Sequence, residues 1–134
     1  MGTTPQYWSN RRMGRAVLSA ATTDKTGATT TNIVDILTGA AAGTEVTELA
    51  VKADGDPADC VILIFIHNGT NYVLYTEIDI GNPAAGSTTV AAYEETRYYT
   101  GLFLPSASFK VAAAITVVPT AGSVAVWASG GDLT

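Results

Sequence analysis

Alternation of apolar and polar residues with a period of two is the dominant pattern in this chain. In residues 45–53, for example, Leu49 and Val51 alternate with Glu48 and Lys52. Successive side chains of a β-strand point to opposite faces, so this pattern places apolar groups on one side and polar groups on the other. No segment shows the 3.6-residue period of an amphipathic helix. The sequence therefore predicts an all-β protein.

The alternating segments are rich in Val, Ile, Thr and Tyr, and clusters of Gly, Pro, Asn and Asp separate them. They predict strands near residues 15–22, 30–38, 45–53, 60–67, 71–80, 88–99, 109–118 and 123–129. A chain of 134 residues corresponds to one domain. About eight strands in one domain are typical of a β-sandwich, jelly roll or barrel. We expect a single-domain β-sandwich or jelly roll of antiparallel strands with an extended N-terminal arm.

The segment at residues 61–66 is apolar at every position and breaks the alternation. A strand of a two-sheet sandwich normally has one face in water. The second face is covered either by a loop of the same chain or by a neighbouring subunit, and we favour the subunit. The predicted oligomer contact consists of Ile62, Ile64 and Ile66.

The charge is distributed unevenly along the chain. Residues 1–15 contain three arginines and no acidic residue, which gives +3. Residues 16–134 contain four basic and 12 acidic residues, which gives −8 and a net charge of −5 for the chain. We therefore divide the chain into an N-terminal arm, residues 1–15, and a β-sandwich domain, residues 16–134.

The arm is predicted to dock on an acidic surface of a neighbouring protein. Tyr, Trp and Arg are the residue types enriched at binding hot spots. The predicted partner-binding residues are Tyr7, Trp8, Arg11, Arg12 and Arg15. A frayed terminus is the plain alternative. Nucleic-acid binding is disfavoured because three charges release few counterions and the acidic body repels phosphate. Deletion of residues 1–15 is expected to leave the domain folded.

No catalytic constellation is recognisable. The one histidine, His67, ends an apolar strand, and the one cysteine, Cys60, lies in an apolar run that is typical of a buried residue. Asp54, Asp56 and Asp59 offer oxygens for a hard cation, but a solvated turn is favoured. The longest apolar run is far shorter than the roughly 20 residues that span a bilayer. The sequence predicts no enzyme, no cofactor, no metal site and no membrane or nucleic-acid partner.

Six segments along the chain form a familiar set of strand and hairpin patterns. They are Leu-Thr-Gly-Ala at 37–40 with Gly-Thr at 43–44, Glu-Leu-Ala-Val-Lys-Ala at 48–53, the hairpin at 63–72, Leu-Tyr-Thr-Glu-Ile at 74–78, Leu-Pro-Ser at 104–106 and Gly-Gly-Asp-Leu at 130–133. In these segments the chain resembles small virion structural proteins of tailed bacteriophages and prophages. The resemblance implies a capsid decoration (cement) protein on the outer surface of the head, assembled in the host cytoplasm. It implies the major capsid protein as partner and a homo-oligomer, with a trimer favoured.

Two other functions remain open. One is a β-sandwich module of a tail fibre, spike or baseplate that binds partner proteins or host-surface glycans. The stacking residues for glycans would be Tyr72, Tyr75, Tyr93, Tyr98, Tyr99 and Trp127. The other is a lytic hydrolase, which the lack of a catalytic constellation disfavours.

Overall fold

The computed structural model describes residues 8–81 and 83–133, which form eight β-strands. The strands are β1 (Trp8–Leu18), β2 (Val34–Thr38), β3 (Thr44–Ala53), β4 (Cys60–Asn68), β5 (Tyr72–Ile80), β6 (Glu94–Leu104), β7 (Phe109–Ile115) and β8 (Val124–Leu133). Every predicted strand is present, and the largest differences are at β1 and β6. Within the described residues, no helix is long and apolar enough to cross a membrane.

The strands form two antiparallel four-stranded sheets. Sheet A has the order β1-β8-β3-β6, and sheet B has the order β2-β7-β4-β5. The chain passes from one sheet to the other at each connection except the β4–β5 hairpin. This order is that of a jelly roll, in which two Greek keys form facing sheets. The fold prediction is therefore confirmed.

The main core lies between the two sheets and is built from their inward-facing side chains. Ile62 and Ile64 of β4 are fully buried in it, and Ile66 packs against it at the margin. The side chains of Ile62 and Ile64 face sheet A of the same chain and are not available to another subunit. The predicted oligomer contact is therefore wrong at Ile62 and Ile64, and at the partly buried Ile66 it stays a prediction.

A second, smaller apolar cluster covers the outer face of sheet B. Leu63, Phe65, Ala112 and Ala114 are fully buried there. Four partly buried residues pack against them: Ile33, Val61, Tyr72 and Leu74. Strand β4 is therefore apolar on both faces because it contributes to two clusters.

The connection between β1 and β2, residues 19–33, runs along this outer face of sheet B. Ala21 forms a parallel bridge with Ile115, and the Thr22 amide donates to the Ile115 carbonyl at 2.9 Å. Gly27 has a φ of +80°, and a Cβ there would overlap the Tyr72 carbonyl oxygen. The chain itself thus covers the second face of β4, which is the alternative that the sequence analysis did not favour.

Asp24 organises the tip of this connection. Its carboxylate accepts hydrogen bonds from the Thr26 amide at 2.9 Å, the Thr26 hydroxyl at 2.6 Å and the Thr29 amide at 2.8 Å. These bonds favour the ionised form and hold the pKa of Asp24 well below its usual range. Beside it, Lys25 forms an ion pair with Glu77 of β5 at 2.6 Å.

A β-bulge in the β4–β5 pair determines which β5 side chains face the core. Ile64 is opposite Thr76, but Phe65 is opposite Leu74, so one residue of β5 is left over. Because an extra residue reverses the alternation, Leu74 points to the outer face whereas Ile78 is buried in the main core.

Candidate functional site

Strand β1 contains most of the predicted arm. It pairs with β8 from Trp8 opposite Leu133 to Leu18 opposite Val124. The boundary predicted at residue 15 falls inside this strand, so residues 8–15 belong to sheet A rather than to a separate arm. Deletion of residues 1–15 would remove most of an edge strand and is no longer expected to be harmless. Tyr7 lies outside the described residues.

The inward side of β1 closes the sandwich against β2. The Arg12 guanidinium donates to the Thr38 carbonyl at 2.7 Å and forms an ion pair with Asp132 at 3.2 Å. At Gly14, a Cβ would overlap the Ile36 carbonyl oxygen, so only glycine allows the two strands to come this close. Arg12 therefore positions β1 through contacts within its own chain, and partner binding by Arg12 stays a prediction.

Asp132 anchors this closure from β8. The buried Thr44 hydroxyl donates to its carboxylate at 2.7 Å. Burial raises the pKa of Asp132, but hydrogen bonds from Thr44 and Arg12 outweigh burial, and the net pKa lies below its usual value. The ionised carboxylate thus connects three strands of sheet A with the neighbouring edge of sheet B.

Trp8 is also held by its own chain. Its indole N–H donates to Glu45 of β3 at 3.3 Å. Its ring lies over Gly131, where a Cβ would overlap the indole. Trp8 therefore covers the start of β3 and the end of β8.

Arg11 and Arg15, in contrast, point outward from sheet A and are exposed. The guanidinium carbon of Arg15 lies 5.2 Å from the centroid of the Trp127 ring, which is a cation–π contact. Met13 and Val17 lie on the same face of β1 as the two arginines and are 66% and 45% exposed.

We call this outer surface of sheet A the open face. The side chains that define it are Arg11, Met13, Arg15 and Val17 of β1, Trp127 of β8, Glu48 of β3, and Tyr98 and Phe103 of β6. Arginine, methionine and aromatic residues are the types enriched at protein interfaces. Partner binding by Arg11 and Arg15 stays a prediction, and the structure places Met13, Val17 and Phe103, which were not predicted, on the same face. The spacing of two between residues 11, 13, 15 and 17 was the available signal, because it marks one face of a strand.

A shallow groove crosses the open face where β3 contains an extra residue opposite β8. The register shift lies between Val46 and Glu48. The groove has a volume of about 250 Å³ and is lined by Arg11, Arg12, Met13, Thr47, Glu48, Ser129 and Gly130. Small-molecule sites usually range from about 300 to 1,000 Å³. The groove is therefore slightly smaller than a typical small-molecule site.

The other residues considered for catalysis or metal binding are buried or make hydrogen bonds within the fold. The Nδ1 atom of His67 accepts a hydrogen bond from the Gly69 amide at 3.1 Å in the β4–β5 turn. Cys60 is buried, and burial raises the pKa of its thiol. The Asp54 carboxylate accepts a hydrogen bond from the Ser123 amide at 2.6 Å. No group of three or more metal-ligating side chains occurs in residues 8–81 and 83–133.

The six aromatic residues considered for glycan stacking do not line one cleft. Tyr72 lies on the outer face of sheet B, where its hydroxyl donates to Asp35 at 2.8 Å. Tyr98 and Trp127 are on the open face. The remaining three, Tyr75, Tyr93 and Tyr99, lie at or near the β5–β6 edge of the sandwich. The ring centroids of Tyr75 and Tyr99 are 6.0 Å apart.

No protein-family model and no curated protein matches the chain. Among solved structures, it is similar to a chain of the acidic stable capsid structure of the Helicobacter pylori bacteriophage KHP30. The TM-score is 0.55 at 11% identity, and the match covers 93% of this chain and 89% of the other. Because both chains are covered nearly from end to end, they are similar in length, and the likeness extends over both sheets. At this identity the likeness shows a common fold, so the chain has the fold of a bacteriophage capsid chain.

Proposed function

We propose that this protein is a non-enzymatic structural component of a bacteriophage virion, and more specifically a capsid decoration (cement) protein. The observation that carries the proposal is the end-to-end fold similarity to a chain of a bacteriophage capsid. The proposed partner is the major capsid protein, and the proposed location is the outer surface of the head.

The contrast between the two outer faces supports a contact function. Residues 19–33 and the second apolar cluster cover the outer face of sheet B, whereas the open face has no comparable cover within the described residues. Exposed patches of apolar and arginine side chains mark interaction sites on soluble proteins. We therefore assign the open face to attachment on the shell.

The size of the open face is compatible with such an attachment. Four strands spaced about 4.8 Å apart and seven residues long give a flat area of roughly 450 Å². Stable interfaces bury about 800 Å² per partner. The open face supplies more than half of this area, and adjoining loops or a neighbouring copy on the shell would supply the rest.

Preorganisation of the arginine side chains also supports the proposal. Stacking of Arg15 on Trp127 restricts the guanidinium before a partner arrives, which lowers the entropy cost of binding. Arg12 and Trp8 hold β1 in place and so fix the direction of the outward-facing residues Arg11 and Arg15. We propose a homotrimer as the bound unit, because several weak contacts on one shell add up to stable attachment.

The test is binding of the purified protein to undecorated shells of the major capsid protein encoded by the same phage. We expect saturable binding by co-sedimentation and a rise in the temperature at which the shells open. Arg11→Glu should weaken binding by about tenfold, since it reverses a charge on the open face. Lys25→Glu, which also reverses a positive charge but on the covered face, is the control and should leave binding unchanged.

A cryo-electron microscopy map of the intact particle gives the independent check. Density for this fold on the head surface, with sheet A toward the shell, is the expected result. Density on the tail would refute the decoration role and favour the alternative fibre, spike or baseplate module. Equal binding by the Arg11→Glu and Lys25→Glu variants would refute the assignment of the open face.

A further inference from the structure

We infer that the two edges of sheet A are complementary and that the β1 edge of one copy of this chain binds the β6 edge of a second copy. The inference rests on the register of sheet A alone and does not depend on the proposed virion role.

The register aligns the two most exposed large apolar side chains of the described residues. Met13 is opposite Ser129, Ser129 is opposite Glu48, and Glu48 is opposite Tyr98. Met13 and Tyr98 therefore stand at opposite ends of one row across the sheet, and they are 66% and 78% exposed. When two copies lie side by side at the same height, Met13 of one meets Tyr98 of the other. A thioether against an aromatic ring is a favourable contact.

The neighbouring rows bring opposite charges together. The row that starts at Arg15 ends at Thr96, and the row that starts at Val17 ends at Glu94. In the same arrangement, Arg15 of one copy lies diagonal to the exposed Glu94 of the next. Diagonal neighbours on one sheet face are about 7–8 Å apart, which long side chains can span. The contact thus combines an apolar pair with an ion pair on adjacent rows.

Strand direction is consistent with the same arrangement. Three antiparallel pairings separate β1 from β6, so the two strands run in opposite directions within one sheet. A β1 edge beside the β6 edge of a second copy therefore continues the antiparallel alternation.

This contact joins two different surfaces, so it is heterologous and links copies into a ring or a row. A second copy is the occupant that satisfies all the features, since it presents an apolar residue to an apolar residue, an acid to an arginine and a strand of the required direction. A two-fold contact would instead place like edges together and, centred on Met13, would bring Met13 against Met13 and Arg15 against Arg11 of the other copy.

Cysteine cross-linking distinguishes these arrangements without any shell protein. Met13→Cys and Tyr98→Cys variants are mixed in equal amounts and treated with a short bismaleimide. We expect a covalent dimer in the mixture and little product from either variant alone. Wild-type protein is the control for Cys60, which is 6% exposed. Equal cross-linking of the Met13→Cys variant with itself would overturn the inference, as would a mixture that gives no more product than wild type.

Charge reversal tests the ion pair in the same assay. Arg15→Glu and Glu94→Arg, each introduced into both partners, should lower the yield by about twofold to fivefold, as expected for an exposed pair. Combining both reversals should restore the yield, and Lys25→Glu should not change it. A combined variant as weak as the single variants would overturn the pairing of Arg15 with Glu94. Because no shell is present, failure here is separate from failure of the proposed function.

Discussion

Replacement of Phe65 by alanine tests the covered outer face of sheet B. Phe65 is fully buried with Leu63, Ala112 and Ala114, outside the main core. Removing a buried phenylalanine ring costs about 3–5 kcal/mol in transfer and cavity free energy. Small domains have about 5–15 kcal/mol of total stability, so Phe65→Ala removes a large part of it.

The expected shift is large enough for a thermal or urea melt. An unfolding entropy of about 2.1 cal/mol/K per residue gives about 0.28 kcal/mol/K for 134 residues. A loss of 3–5 kcal/mol therefore lowers Tm by about 11–18 °C. Circular dichroism at low micromolar concentration, with light scattering to confirm a monomer, is the appropriate assay.

Phe103→Ala provides the matched control. Phe103 lies on the open face and is 44% exposed, so the same change should cost only about 1 kcal/mol. If dilute Phe65→Ala protein lost no more stability than Phe103→Ala, residues 19–33 would not bury the second cluster. A difference that appeared only in an oligomer would restore the subunit interpretation of β4.

Three further predictions concern single contacts. Gly14→Ala should destabilise the fold by about 1–3 kcal/mol in urea unfolding, because its Cβ overlaps the Ile36 carbonyl oxygen, whereas Gly81→Ala, with space for a Cβ among the described residues, should have little effect. The fold lowers the pKa of Asp24, so the ionised carboxylate stabilises the folded state fully at neutral pH, and this stabilisation is lost as the pH falls below the ordinary carboxyl range. Asp24→Ala should therefore lower the unfolding free energy at neutral pH more than at about pH 2. An equal loss at both pH values would contradict this. Burial, together with a nearby carboxylate, raises the pKa of Tyr72 to about 12, so the folded state favours the neutral phenol. The free energy of unfolding should therefore decline as the pH rises above about 10. Tyr72→Phe should reduce that decline in urea unfolding.

Period-two alternation is sufficient to locate the strands because each strand places an apolar side against the other sheet. It fails at the start of β1, where the inward positions are Arg12 and Gly14 rather than apolar residues. Those residues are polar or small because they contact the β2 backbone directly. The first half of β1 is therefore polar and basic in composition, and from the sequence alone it resembles a separate arm rather than an edge strand.

Periodicity also cannot decide between two apolar faces. In β4, Ile62 and Ile64 alternate with Leu63 and Phe65, and either set could face the other sheet. The segment that covers the outer set, residues 19–33, is rich in Thr and contains Asp24 and Gly27, so it has the composition of an ordinary loop. Its role depends on contacts with β5 and β7, which are distant in sequence.

The proposed interaction surface was predictable only in part for the same reason. Arg11 and Arg15 stand out by charge, but Met13 and Tyr98 become a matched pair only through the register of β1, β8, β3 and β6. Strand order depends on long-range pairing, which local sequence patterns do not encode.

The position of β8 in sheet A has a consequence for how the chain folds during synthesis. Strand β8 lies between β1 and β3 and is the last of the eight strands to leave the ribosome. Until then, β1 has no ladder partner, and β3 can pair only with β6. Sheet A is therefore completed only after the whole domain has been made, and pairings this distant in sequence form slowly. A nascent chain that ends before Val124 should expose the long edges of β1 and β3, and it is the species most in need of protection from aggregation.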